Sequence, residues 1–136
     1  MKLQESGQMY LKAIYVLSQR KPHVRAIDVV KHMGYSKPSV SRAVNVLERG
    51  GYLTRDDSGF LYLTDEGKKI ASETYERYQL LTELFIMLGV SEEVALDDAC
   101  RIEHVISDET MHALKTHITK HGGTANHIID RDKNFI

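Results

Sequence analysis

The chain has 136 residues, 42% hydrophobic and 27% charged, which is ordinary for a globular protein and excludes extensive disorder outside the C-terminal end. The longest strongly apolar run, LFIMLGV (84–90), is too short to span a bilayer, and MKLQESGQMY lacks a signal peptide's apolar core, so a cytoplasmic protein without membrane contact is expected. The net charge of −1 hides a division: residues 1–55 carry ten Lys or Arg against three acids, +7, whereas residues 56–136 carry eight against sixteen, −8. A basic half of this kind suggests a polyanionic partner.

In QMYLKAIYVLSQ, apolar residues at Met9, Tyr10, Ala13, Ile14, Val16 and Leu17 follow a helical period that Pro22 ends. A short helix is expected around Ile27 to His32, closed by Gly34. SKPSVSRAVNVLERGGYL then reads as a helix capped by Ser36, with Pro38 in its first turn and a buried stripe of Val40, Val44 and Leu47, stopped by Gly50 and Gly51. Two strands, Tyr52 to Arg55 and Phe60 to Leu63, flank the turn signal DDSG. Residues 1–64 therefore read as a winged helix-turn-helix domain. Residues 65–136 read as a helical domain. It opens with a linking helix over 65–88 capped by Thr64, in which Ile70, Tyr78, Leu81, Leu84, Phe85 and Leu88 supply a core or dimer seam. Gly89 ends that helix, Ser91 starts another, and Ser107 starts a last one reaching about Lys120. Residues 122–136 are expected to be a mobile tail. The fold class expected is mainly α.

Opposite the buried stripe of the Ser36 helix lie Ser36, Lys37, Ser39, Arg42, Asn45 and Arg49, with Pro38 in its first turn. Small hydroxyls at a helix start accommodate phosphate, and Arg and Asn one turn apart can read base edges in a major groove. Lys21, Arg25 and Arg55 are candidates for flanking phosphates. The bland alternative is the solvated side of a structural helix.

In DDACRIEHVISDE (97–109), the single cysteine, Cys100, stands at i, i+3 and i+4 with Glu103 and His104, a spacing that places all three on one helical face. Sulfur, oxygen and nitrogen donors together suit a first-row divalent metal. A nucleophilic Cys100–His104 pair is a second reading, lacking a glycine-rich oxyanion loop or an orienting third group. A buried structural cysteine beside a surface Glu and His is the third.

ACRIEHVISDE closely resembles the metal-binding helix of the diphtheria toxin repressor family of iron- and manganese-dependent bacterial regulators. QMYLKAIYVL resembles that family's first helix, SKPSVSRAVNVLERGGYL its recognition helix and wing start, and LTDEGKKIA the approach to its linking helix, so the similarity covers about residues 5–115 in order. The resemblance implies a winged helix-turn-helix followed by an α-helical dimerisation and metal-binding domain, with Met9, Cys100, Glu103 and His104 as the primary metal site. It implies a homodimeric repressor on a palindromic double-stranded DNA operator, with no small-molecule substrate and no catalysis. Met9 and Lys12 stand where manganese-type members carry two carboxylates, and Cys100 where they carry Glu. The expected ion is therefore Fe2+, then Mn2+, with Co2+, Ni2+ or Zn2+ possible in vitro. The family's ancillary site maps onto Tyr78, Thr82 and Leu96, with Glu83 one residue off, which argues against a conventional second site. The resemblance does not extend to the SH3-like third domain of longer iron-type repressors. His117 and His121 form an i, i+4 pair expected to be surface residues, like His23, His32, His112 and His127. The remaining alternative is a metal-independent winged-helix regulator with Cys100 as a redox sensor or structural thiol.

Overall fold

The computed structural model describes residues 3–120. Among these run α1 (Glu5–Arg20), α2 (Ala26–Met33), α3 (Lys37–Arg49), β1 (Leu53–Arg55), β2 (Leu61–Leu63), α4 (Asp65–Met87), α5 (Glu92–Ile102) and α6 (Asp108–Lys120). They form two compact units, Met1–Glu73 and Thr74–Ile136, which divide inside α4. The first two turns of α4 belong with the first unit, because Ala71 is fully buried in its core and Ile70 packs against it. The tail expected from residue 122 lies outside the described residues.

In the first unit α1 buries Tyr10, Leu11, Ala13, Ile14 and Val16. Its end follows from Pro22: Lys21 is held extended at φ −142° and ψ 146°, as the residue before a proline prefers. Gly34 closes α2 at φ +73°, donating to the Val30 carbonyl at 2.9 Å. The α3 stripe Val40, Val44 and Leu47 is buried as expected and packs with Leu11, Ile14, Val24, Val29, Leu53 and Leu61 in one core. Burial of each such side chain stabilises by about 1.5–3 kcal/mol.

Ser36 caps α3, its hydroxyl accepting from the Ser39 backbone N–H at 3.3 Å. Replacement of Ser36 by alanine is expected to lower stability by about 1 kcal/mol in urea unfolding, since a first-turn donor loses its acceptor.

The wing pairs β1 and β2 antiparallel with Leu53 opposite Leu63, Thr54 opposite Tyr62 and Arg55 opposite Leu61. Each strand starts one residue later than expected. Val24 adds a further rung, its carbonyl accepting from Leu61 N–H at 2.7 Å. Asp56 organises the turn, accepting from the backbone N–H groups of Ser58 (3.0 Å) and Phe60 (2.9 Å) and the Tyr62 hydroxyl (3.2 Å), with Gly59 at φ +85°. The Phe60 bond is the largest influence holding the Asp56 carboxyl below its usual range. A carboxyl depressed in the folded state contributes stability above its unfolded value near 3.9 and loses it as pH falls through the lower folded value. The Ser58 and Phe60 amides should therefore keep their hydrogen-exchange protection at pH 5 and lose it only once pH has fallen past the ordinary carboxylate value of about 3.9, with the α3 core amides still protected.

In the second unit the rest of α4 packs with α5 and α6 around Tyr78, Leu80, Leu81, Leu96, Ala99, Met111 and Ile118. Gly89, at φ +99°, ends α4 while Val90 N–H reaches back to the Phe85 carbonyl at 2.9 Å. Of the expected core-or-seam positions, Tyr78 and Leu81 are core, whereas Leu88 is exposed together with Met87, Val94 and Val105.

Candidate nucleic-acid interface and metal centre

Lys37, Pro38, Arg42, Asn45 and Arg49 all lie on the exposed side of α3, with Ser36 exposed at its cap. Ser39 is half-buried, and its oxygen accepts from the Ser36 hydroxyl at 2.9 Å, so it belongs to the cap more than to the outward face. Sequence reasoning missed Ser41, which extends the Lys37–Asn45 row, and Val46, an apolar side chain 56% exposed beside it. The signal was present for Ser41, since positions 37, 41 and 45 are spaced four apart.

Two of the flanking cations are engaged within the protein. Arg55 donates to the Asn45 side-chain oxygen at 2.8 Å and the Glu48 carboxylate at 3.3 Å, so it ties the wing to α3. Lys21 donates to the Asp28 carboxylate at 2.8 Å. That bond, with the Arg25 backbone N–H at 2.8 Å, holds the Asp28 carboxyl below its usual range. Arg25 is exposed with its guanidinium 4.6 Å from the Phe60 ring centroid, and His23 stacks on the same ring at 4.5 Å. His32 is half-buried rather than a surface residue.

α5 ends at Ile102, so two of the three donors of 97–109 lie at and just past its C-terminus, Glu103 still in helical torsions. Cys100 sits in the last turn of α5, half-buried against the second core. Glu103 is the C-cap, and His104 lies in the turn beyond. The local reason is that Ile106 N–H and Val105 N–H both reach the Ile102 carbonyl, which turns the chain towards α6. Glu103 and His104 are also not surface residues: they are 1% and 7% exposed. Their Oε1 and Nε2 atoms stand 3.1 Å apart.

A carboxylate and an imidazole hidden from water need a compensating partner. Their separation suits a hydrogen bond, and equally two neighbouring ligands of one ion, which at bonds of about 2.0–2.2 Å and a right angle lie about 3 Å apart. The residues therefore fit a divalent metal in chemistry and spacing. Among the described residues no group of three or more His, Cys, Asp or Glu stands together as an ion cage, so the structure converges Glu103 with His104 but does not add Cys100 to a cluster. Met9 is half-buried on α1 in the first unit. Tyr78, Thr82 and Leu96 are packing residues of the second unit, and the Thr82 hydroxyl donates to the Tyr78 carbonyl at 2.8 Å. Glu83 is buried as well. His117 is exposed on α6, and His121 and His127 lie outside the described residues. No helix among the described residues is long and apolar enough to cross a membrane.

Comparison with known proteins gives two matches that together span most of the chain. Residues 2–58 match the family model described as iron dependent repressor, N-terminal DNA binding domain, and residues 64–122 match iron dependent repressor, metal binding and dimerisation domain. The transcriptional regulator MntR of Escherichia coli O6:H1 (strain CFT073) is 34% identical over 113 residues, 83% of this chain and 73% of that protein. The HTH-type transcriptional regulator MntR of Bacillus pumilus is 34% identical over 98 residues, 72% of this chain and 68% of that one. Among solved structures, the manganese regulator SloR superposes with a TM-score of 0.74 at 28% identity, over 88% of this chain. A manganese-dependent transcriptional repressor in complex with manganese gives 0.76 at 25% identity, over 83% of this chain. This chain spans 55% and 52% of those two solved chains, just over half their length.

Proposed function

The chain belongs to the iron-dependent repressor family of metal-dependent DNA-binding regulators, and on that premise we propose that it is a homodimeric repressor of metal homeostasis genes whose grip on DNA is switched by a divalent metal. The observation that carries the reading is the buried Glu103–His104 pair, in the same chain as a basic α3 face. The metal's chemistry is charge: a dication would compensate a carboxylate that has been taken out of water. Glu103 and His104 would hold it, with Cys100 as the sulfur donor of the same unit.

Relatives named as manganese regulators support Mn2+ ahead of the Fe2+ that the sulfur donors favoured on sequence grounds. Intrinsic affinity rises from Mn2+ through Fe2+, Co2+ and Ni2+, so a thiolate-containing site should accept those ions too, and supply in the cytoplasm decides which one acts. On the DNA side, α3 would enter the major groove with Arg42, Asn45 and Arg49 towards bases and phosphates, and Ser36, Lys37 and Arg25 on phosphates. The exposed Met87, Leu88, Val94 and Val105 would be covered in the homodimer. Two-fold symmetry would then call for a palindromic operator with half-sites about one helical turn apart, or a multiple.

The test is a duplex selected from a random-sequence pool by the Mn2+-loaded protein, titrated by fluorescence anisotropy with Mn2+, with anaerobic Fe2+ and with chelator. Metal should tighten binding by roughly 5- to 150-fold, the usual range of allosteric coupling. Equal affinity in chelator would overturn metal activation and leave a metal-independent DNA binder.

A further inference from the structure

One guanidinium on α4 grips the turn that carries both buried ligand candidates. Arg77 Nη1 donates to the Ile106 carbonyl at 2.5 Å and to the Glu103 carbonyl at 3.5 Å, and Nη2 donates to the Asp108 carboxylate. The Arg77 side chain is only 22% exposed, although its partner Asp108 is 96% exposed. All four residues belong to the second unit.

Residues 103–107 carry no helix or strand; Glu103 N–H reaches the Ala99 carbonyl, Val105 and Ile106 N–H reach Ile102, and the Ser107 carbonyl accepts from Met111. The carbonyls at a helix C-terminus have no partner within the helix, and Arg77 supplies a donor to the carbonyl of the C-cap residue itself. A planar guanidinium presents several donors in a fixed fork, so it can fix carbonyls and a carboxylate at once, whereas an ammonium acts as a compact point charge. Arg77 thus bridges the C-terminus of α5, through the 103 and 106 carbonyls, to the first residue of α6, Asp108.

We propose that Arg77 is the positioning residue of the metal site. By pinning the backbone on both sides of His104, it sets the angle at which the Glu103 carboxylate and the His104 imidazole meet. It touches no metal itself and acts through those two ligands. The inference rests on the reading that Glu103 and His104 bind the metal. Groups that orient ligands from behind commonly change metal affinity 10- to 100-fold when they are lost.

The experiment compares wild type, Arg77→Met, Arg77→Lys, Asp108→Asn and Glu103→Gln. It uses Co2+ as an anaerobic spectroscopic probe and circular dichroism with thermal unfolding on the metal-free proteins. Arg77→Met should weaken Co2+ binding about 10- to 100-fold and alter the ligand-field bands, while the metal-free helix content stays as in wild type. Arg77→Lys should restore part of the affinity but not the wild-type band shape, and Asp108→Asn should give a smaller loss than Arg77→Met. Wild-type affinity and bands in Arg77→Met, with binding lost in Glu103→Gln, would overturn the inference and leave the metal reading standing. Wild-type Co2+ binding in Glu103→Gln would overturn the metal reading and the inference with it. Should Arg77→Met lose its helix signal, Arg77→Lys and Asp108→Asn decide: wild-type bands in both would overturn the proposal.

Discussion

Substitution of Glu103 by glutamine is expected to abolish the metal-dependent gain in operator affinity, collapsing a roughly 5- to 150-fold effect to about one. Glutamine keeps the shape of the side chain but removes its negative charge, and at 1% exposure no water is available to replace what the carboxylate gave. The same replacement should not unfold the metal-free protein. The amide is the size of the carboxylate and can still hydrogen-bond beside His104. The signature is therefore a variant with the helix content of wild type without metal, basal DNA affinity equal to the metal-free wild type, and no response to Mn2+. A variant that still tightened on DNA with added Mn2+ would remove Glu103 from the site.

Replacement of Gly67 by alanine should be the most damaging small change in the first unit. A helix interior ordinarily gains up to about 1 kcal/mol from this exchange. Here the added Cβ would lie 1.9 Å from the Tyr52 carbonyl oxygen and 2.9 Å from its carbonyl carbon. Both are backbone atoms, so no side chain can swing aside. That carbonyl also accepts from Thr64 N–H at 3.1 Å, and Thr64 in turn accepts from Gly67 N–H at 3.1 Å and donates to the Gly51 carbonyl at 2.7 Å. Relief of the clash must separate the start of α4 from the start of the wing and break part of this lacing. A net loss of about 3 kcal/mol is expected, at the upper end of overpacking costs, together with weaker metal-independent DNA binding. Urea unfolding and anisotropy on the same variant check both, and a stabilised Gly67→Ala protein would show that the junction is loose.

Much of the molecule was legible in its residues because the signals are local. Pro22, Gly34, Ser36, Gly51 and Gly89 act through the backbone geometry of their own neighbourhood, and they bound the elements within a residue or two of their expected places. The Val40–Val44–Leu47 stripe needs only helical periodicity to declare which side of α3 is buried, and hence that Arg42, Asn45 and Arg49 face out. The same holds for the candidate ligands as a list. Cys100, Glu103 and His104 were nameable as candidates from residue type and spacing, and Met9 only from the family resemblance.

Spacing left part of their setting open. An i, i+3, i+4 pattern carries no information on where a helix stops, and α5 stops at Ile102, with Glu103 as its C-cap. Nor could it report that both are buried, because burial of 103 and 104 depends on the path of the chain after Ile102 towards α6. Arg77 lies 26 residues from Glu103 in sequence and 31 from Asp108, and no periodicity links them. Arg55 read as a free phosphate ligand until the hairpin brought it back against Asn45 and Glu48. Gly67 carries no local signal of its role, which the fold alone supplies by setting the Tyr52 carbonyl where a side chain would stand. What the amino-acid sequence determined by itself was therefore the set of elements, their outward and inward faces, and the chemistry present. What only the tertiary structure decided was which of those groups leave water and which partners hold them there, since burial and long-range pairing are set by chain segments that no local pattern connects.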